Sequence, residues 1–239
     1  MNDPFGEAIL DYFENGKDSK IIVNSNYTED EEIPPSWFFR TEKEMPKIER
    51  EALKLCRGKV LDVGAAAGCH SLILQKKGFN VTALEISPIA AEVMKKRGIY
   101  KTVVADIFKY SEEKFDTILL LMNGTGIAGT IQGLKKMLDH LKMLLSENGQ
   151  ILVDSSDIKY LFEDDDGSFW VDLANPNYYG EMDYEVSYKD STSTFKWLFI
   201  DFENLKKIAA KLGFDCELIL EGKHYDYLAQ LKLKNEVPV

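Results

Sequence analysis

Between residues 59 and 155 the chain alternates short apolar runs with longer stretches of helical spacing. The runs KVLDVG, NVTALEI, KTVVAD, FDTILLLM and QILVDS contain few polar positions, which suits strands buried on both faces. Between them, CHSLILQKKG, SPIAAEVMKKRG and TIQGLKKMLDHLKMLLSENG are apolar at helical spacing and stop at glycine. This alternation predicts a parallel sheet covered by helices on both faces.

The flanks read differently. Upstream, PFGEAILDYFENG sets Phe5, Ile9, Tyr12 and Phe13 on one helical face. The acidic segment from Asn26 to Arg40 is expected to be a partly ordered lead-in; Pro46 suits the first turn of a helix through KIEREALKLCRG, with Gly58 as its stop. Downstream, MDYEVSYKDSTSTFKWLFI reads as two strands around a polar turn. The helix DFENLKKIAAKLG and the strands FDCELIL and YDYLAQLKL, joined by EGKH, follow. A final antiparallel pair predicts a mixed sheet with an antiparallel strand near one edge. We expect one α/β domain over residues 1–239, with an extension at 1–44 and an insertion at 155–200 on the ligand side.

Composition narrows the function. The chain has 239 residues, 45% of them apolar, and no apolar run near the roughly 20 residues of a spanning helix. The N-terminus lacks a basic-then-apolar secretory pattern, so a cytoplasmic location without membrane attachment is expected. Three scattered cysteines and three distant histidines have no metal-ligand spacing, and no metal is expected. A net charge of −11 would repel a polyanion, so no nucleic-acid partner is expected.

The chemistry concentrates in VLDVGAAAGCHSL, Val60 to Leu72. Asp62 and Gly64 end a strand, Ala65 and Ala66 fill the turn, and Gly68 opens a helix, so a ligand can approach the backbone beside a helix N-terminus. The dinucleotide fingerprint would put its third glycine at Cys69, out of register, which ranks a nicotinamide-dependent dehydrogenase last. Glu85 ends the second strand, Asp106 the third and Asn123 the fourth, so four strand tips converge on one crevice.

In this ordered set the sequence resembles the class I S-adenosylmethionine (SAM)-dependent methyltransferases, strongly over 45–153 and more loosely beyond. The resemblance implies a Rossmann-like methyltransferase fold of seven mostly parallel strands, and SAM as cofactor. It implies that Asp62 and the glycine turn lie near the methionine part, Glu85 and Ile86 at the ribose, Asp106 and Ile107 at the adenine, and Leu121, Met122 and Asn123 beneath the cofactor. Ala66 stands where the family usually has glycine, and is tolerated if its φ is negative. MNGTG replaces the Asn-Pro-Pro-aromatic motif of methyltransferases that act on bases or glutamine, which lowers that substrate class.

Two further cofactor contacts are expected from SWFFR: Arg40 for a carboxylate and Phe39 to close the pocket. The plain alternative for Arg40 is a surface charge. The acceptor, a small molecule, is expected beside Asp154, Tyr178 and Tyr179, with Ser155, Ser156, Asp157 and Glu181 nearby. Asp154 has an alternative as a cap for DIKYLF, the tyrosines as packing residues, His70 as a satisfied structural histidine, and the acidic run Glu163 to Gly167 as a solvated face. Two rival functions stay open: a SAM- or adenosine-binding module without transfer, and an aminopropyl transferase. The pattern specifies neither the acceptor nor an oligomeric state.

Overall fold

The computed structural model describes residues 2–28, 30–163 and 177–234. The acidic run is therefore outside the described residues from position 164 onward. In chain order the first elements are α1 (Pro4–Asn15), β1 (Ile21–Ser25), β2 (Glu31–Ile33), α2 (Lys47–Leu55), β3 (Lys59–Val63), α3 (Cys69–Lys76), β4 (Asn80–Glu85), α4 (Pro88–Lys96) and β5 (Thr102–Val104). There follow β6 (Phe115–Leu120), α5 (Ile131–Leu144), β7 (Leu145–Ser156), β8 (Glu181–Tyr188), β9 (Ser191–Leu198), α6 (Phe202–Lys211), β10 (Phe214–Glu221) and β11 (Asp226–Leu233). Short 3-10 turns occupy Pro35–Phe39, Gly124–Ala128 and Lys159–Phe162.

Seven strands form the main sheet in the order β10-β11-β7-β6-β3-β4-β5. β5, β4, β3, β6 and β7 pair in parallel, and β11 runs antiparallel to both β7 and β10. Alternation along the strands divides the core: Ile118, Ile151 and Ala229 pack on the α5–α6 side, while Leu119, Leu152 and Leu228 pack with Ile48, Leu53 and Leu74 of α2 and α3. The inner strands β3, β4, β6 and β7 are thus apolar on both faces, as their unbroken runs predict, whereas the edge strands β5 and β10 are partly exposed.

The lead-in is more ordered than expected. β1 and β2 join β8 and β9 in a second, antiparallel sheet of order β2-β1-β8-β9, in which Val23 pairs with Val186. Only Ile21 and Val23 of β1 are buried, so its alternation is too short to read locally, and its partner strand lies some 160 residues downstream. Ile21, Val23, Val186 and Tyr188 pack with Ala8 and Ile9 of α1 and with Ala90 and Val93 of α4. That packing seats the second sheet at the strand-tip end of the main one, where Phe39, Ala66, Met122, Tyr184 and Phe195 border the same cluster, each partly exposed. Among the described residues no helix is long and apolar enough to cross a membrane.

Candidate active site

The turn after β3 is built on left-handed backbone: Gly64 has φ 69°, Ala66 φ 49° and Gly68 φ 77°. The two glycines serve different ends. A Cβ on Gly68 would lie 2.1 Å from Ile99 Cδ1, so this glycine lets α3 pack against the segment after α4; one on Gly64 would meet only Ile127 Cδ1, at 3.1 Å, leaving that turn open to a ligand. Ala66 does not have the negative φ expected of it. Its conformation directs its N–H to Glu85 Oε2 at 2.7 Å, and its unbranched side chain allows the left-handed state at a cost of about 1 kcal/mol. Ala65 is buried, and Gly64 and Ala65 both donate to the Leu84 carbonyl.

Glu85 closes the ring from the tip of β4. Its second oxygen accepts from the N–H of Ile86 at 2.8 Å and of Ser87 at 3.0 Å. Burial raises its pKa, and the three backbone donors oppose that rise. Beside it Ile86 is 70% exposed, an apolar face at the strand tip. Asp62 is buried and accepts from Ser71 Oγ at 2.6 Å, which holds its carboxylate at the start of α3. Asp106 follows β5 and accepts from the Phe108 N–H at 2.9 Å. Ile107 turns its side chain into the main core, so the strand tip presents only its backbone. Leu121 is buried, and Met122 and Asn123 hold consecutive left-handed conformations, φ 65° and 57°. Such strain in a bulky residue concentrates at functional turns. Ser156 Oγ donates to Asn123 Oδ1 at 3.1 Å, tying the tips of β6 and β7.

A buried polar network lies against this end of the sheet. Arg40 Nη2 donates to Glu49 Oε1 at 2.8 Å, and His70 Nε2 to Glu49 Oε2 at 2.7 Å. Arg40 is no surface charge: its side chain is 15% exposed, and its Nε is buried without a partner among the described residues. Burial disfavours a charged His70, yet the Cys69 sulfur, the Glu49 hydrogen bond and the Asp62 charge outweigh it and raise its pKa well above the ordinary value. Burial likewise works against the Glu49 carboxylate, but His70 and Arg40 lower its pKa. Among the described residues the Arg40 Nε is left as an open donor here, which suits a ligand carboxylate. Sequence reading missed Glu49, because its helix position gave no sign of partners nine residues before and 21 after it.

Asp154 lies in β7, not at the start of a helix, and Oδ1 accepts from the Gly124 N–H at 3.1 Å. Asp157 accepts from the Lys159 N–H at 2.9 Å, while the short turn Lys159–Phe162 is capped by Ile158 without a side-chain bond. Burial raises the Asp154 pKa to about 6 against the pull of the Gly124 and Asn123 N–H groups. Ser155 points to the opposite face, where its Oγ and Thr125 Oγ1 share a hydrogen bond of 2.7 Å. Tyr178 is a structural tie: its hydroxyl donates to Asp201, the cap of α6, at 2.5 Å. Tyr179 donates to Asp157 at 2.7 Å and so stays near the β7 tip. Glu181 accepts from the Ile131 N–H at 2.8 Å, anchoring β8 to α5. Phe39 packs on Tyr12 at 4.8 Å and beneath the Arg97 guanidinium at 4.5 Å, with Arg97 also donating to the Ala67 carbonyl of the glycine turn.

Residues 37–218, from the Phe39–Arg40 segment to β10, match the model of a methyltransferase domain family. The chain belongs to the SAM-dependent methyltransferases. A SAM-dependent methyltransferase from Bacteroides fragilis, solved in complex with S-adenosyl-L-homocysteine (SAH), is 46% identical, with a TM-score of 0.91 over 98% of this chain and 95% of that one. The CcbJ methyltransferase of Streptomyces caelestis shares the fold alone, at 13% identity and TM-score 0.64 over 97% of this chain and 98% of its own. A 23S rRNA (uracil(747)-C(5))-methyltransferase of Pyrococcus horikoshii is 34% identical over 83 residues. That match takes in 34% of this chain and 20% of the relative's length, so the chain spans a fifth of the curated relative it matches.

Proposed function

We propose that this methyltransferase moves a methyl group from SAM to a small-molecule acceptor, in the crevice between the strand tips and the second sheet. SAM supplies a methyl group already activated on a positively charged sulfur. The rest of the task is alignment and exclusion of water. The carrying observation is convergence at one sheet end: Glu85 closing the glycine turn, Asp62 locked by Ser71, and the buried, unpartnered Nε of Arg40. In this reading Glu85 takes the ribose hydroxyls, Ile86 and the Asp106–Ile107 backbone take the adenine, and Arg40, steadied by Glu49, takes the methionine carboxylate. Leu121, Met122 and Asn123 form the floor, and Phe39 closes the rim.

The net charge of −11 supports a small acceptor over a polyanion. A carbon acceptor such as a uracil ring needs a nucleophile to activate it, and Cys56 and Cys69 are buried in the α2–α3 core, with the Cys56 thiol pushed by burial up to about 12. Calorimetry tests the proposal: SAH should bind, and Arg40→Ala should weaken it by about tenfold or more, the value of one charge-assisted contact. No binding of SAH by the intact chain would remove the cofactor site. Preference for decarboxylated SAM with putrescine would favour aminopropyl transfer, and SAH binding without turnover on any metabolite would favour a binding module.

A further inference from the structure

We propose that the acceptor is an amine, carried as a cation into the mouth of the crevice and methylated at nitrogen. The inference rests on the methyltransferase reading above and names the substrate class of that same site.

The mouth is bounded by aromatic side chains from three separate parts of the chain. Tyr27, after β1, stands edge-on to Phe162 at 5.1 Å; Phe162 meets Tyr179 at 5.8 Å, and Tyr179 meets Tyr178 at 4.3 Å. From the second sheet Tyr184 stacks on Trp197 at 6.3 Å and packs against Phe195 at 6.1 Å, bordering the cluster that includes Ala66 and Met122. Among the described residues carboxylates stand beside these rings, and Lys196, between Phe195 and Trp197 on β9, is paired with Asp183 at 2.7 Å. Asp157 holds the Tyr179 hydroxyl. Burial first, and then the charge of Glu31, raises the pKa of both Tyr160 and Tyr184, so Glu31 lies within electrostatic reach of both. Lys159, on the same turn, is directed to the Tyr225 ring at 5.8 Å. Aromatic faces with interspersed carboxylates attract a cation and repel an anion.

Below the mouth the polar atoms suit a nitrogen that must lose a proton. Asp154 and Ser156 share one face of β7, and that face meets the β6 tip through the Gly124 N–H and Asn123 Oδ1. Asn123 Oδ1 accepts one hydrogen bond from Ser156 and has capacity for a second. The ammonium would donate to Asn123 Oδ1 and pass one proton to the Asp154 carboxylate. The freed lone pair forms the nitrogen–carbon bond while the carbon–sulfur bond breaks, its electrons remaining on sulfur. The product leaves as a methylated ammonium ion beside neutral SAH, and Asp154 returns its proton to water.

The test uses the full chain and two matched sets of probes: phenethylamine, 2-phenylethanol and 3-phenylpropionate, then hexylamine, hexanol and hexanoate. SAH binding is measured first by calorimetry; its failure would overturn the cofactor reading and not the choice among acceptors. With SAH bound, at least one amine should bind about tenfold or more tighter than its matched alcohol and acid. With SAM, mass spectrometry should show transfer to that amine, and Asp154→Asn should slow transfer by about a hundredfold or more, as for loss of a general base, while SAH affinity stays within threefold. Transfer to an alcohol or acid in preference to its amine, or SAH binding with no transfer to either amine, would overturn the proposal. So would an Asp154→Asn protein as active as the native one.

Discussion

The Ala66 N–H donates to Glu85 Oε2 across 2.7 Å, joining the turn after β3 to the tip of β4. The bond fixes the cradle before any ligand arrives, and it explains why a non-glycine residue holds φ 49°. Glycine at position 66 would shed the left-handed strain but add freedom to the unfolded chain. Ala66→Gly should therefore leave stability within about 1 kcal/mol of native. A β-branched residue has no such tolerance, so Ala66→Val should cost about 2 kcal/mol or more and weaken SAH. Urea unfolding and calorimetry check both; a fully stable Ala66→Val protein would mean that the turn is not left-handed in solution.

Ionising Asp154 works against the fold. Its pKa is about 6 in the folded chain and 3.8 ordinarily, so between those values the unfolded state releases the proton first and stability falls as pH rises. Above pH 6 the penalty is fully present, on the order of 3 kcal/mol. Asp154→Asn keeps an oxygen for the Gly124 N–H and removes the charge. It should raise the melting temperature at pH 8 and leave it nearly unchanged at pH 3.5, measured by scanning calorimetry without cofactor.

The parallel half of the fold was legible because its inner strands are apolar on both faces and α3 and α4 end at Gly78 and Gly98; α5 instead ends at Leu144, ahead of Gly149 read as its stop, because Leu145 already begins β7. Glu85, Asp106 and Asn123 could be placed by the same logic, since strand tips are fixed by where apolar runs stop. The second sheet was only half legible: β8 and β9 share a tight turn, whereas β1 finds β8 across most of the chain. Glu49 illustrates the same limit, because a buried carboxylate is identified by Arg40 and His70, and sequence spacing does not place those three together. The φ of Ala66 was misjudged because the partner that selects it, Glu85, sits 19 residues away on another strand.

Glu49 bonds the buried His70 and the partly buried Arg40, and its loss should be costly. Glu49→Gln would remove the carboxylate that Arg40 and His70 both bond and should destabilise the chain by about 3 kcal/mol or more. The pH dependence has two limbs. The lowered pKa of Glu49 gives stability that is present above 4.5 and lost as pH falls through the folded value. The raised pKa of His70 gives stability that is full below 6.5 and lost as pH rises through the folded value. His70→Gln should flatten the alkaline limb of denaturant-unfolding free energy against pH; an unchanged limb would show that His70 is neutral when folded.

The second sheet meets the β6 tip at Gly126, where a Cβ would lie 1.9 Å from Cε2 of Trp197. Gly126 has no left-handed φ, so its smallness is required by the indole and not by the backbone. The same turn holds the second sheet through Thr125 Oγ1, which donates to the Leu198 carbonyl at 3.0 Å. Gly126→Ala should force the Trp197 ring off the turn and cost about 2 kcal/mol, the usual penalty of overpacking. Because Trp197 stacks on Tyr184, the displacement should carry into the aromatic wall and reduce acceptor turnover more than SAH affinity. Trp197→Phe in the Gly126→Ala background should recover part of both losses, read by melting temperature and by the ratio of turnover to SAH affinity. A double variant no better than Gly126→Ala would show that the contact does not hold the two sheets together.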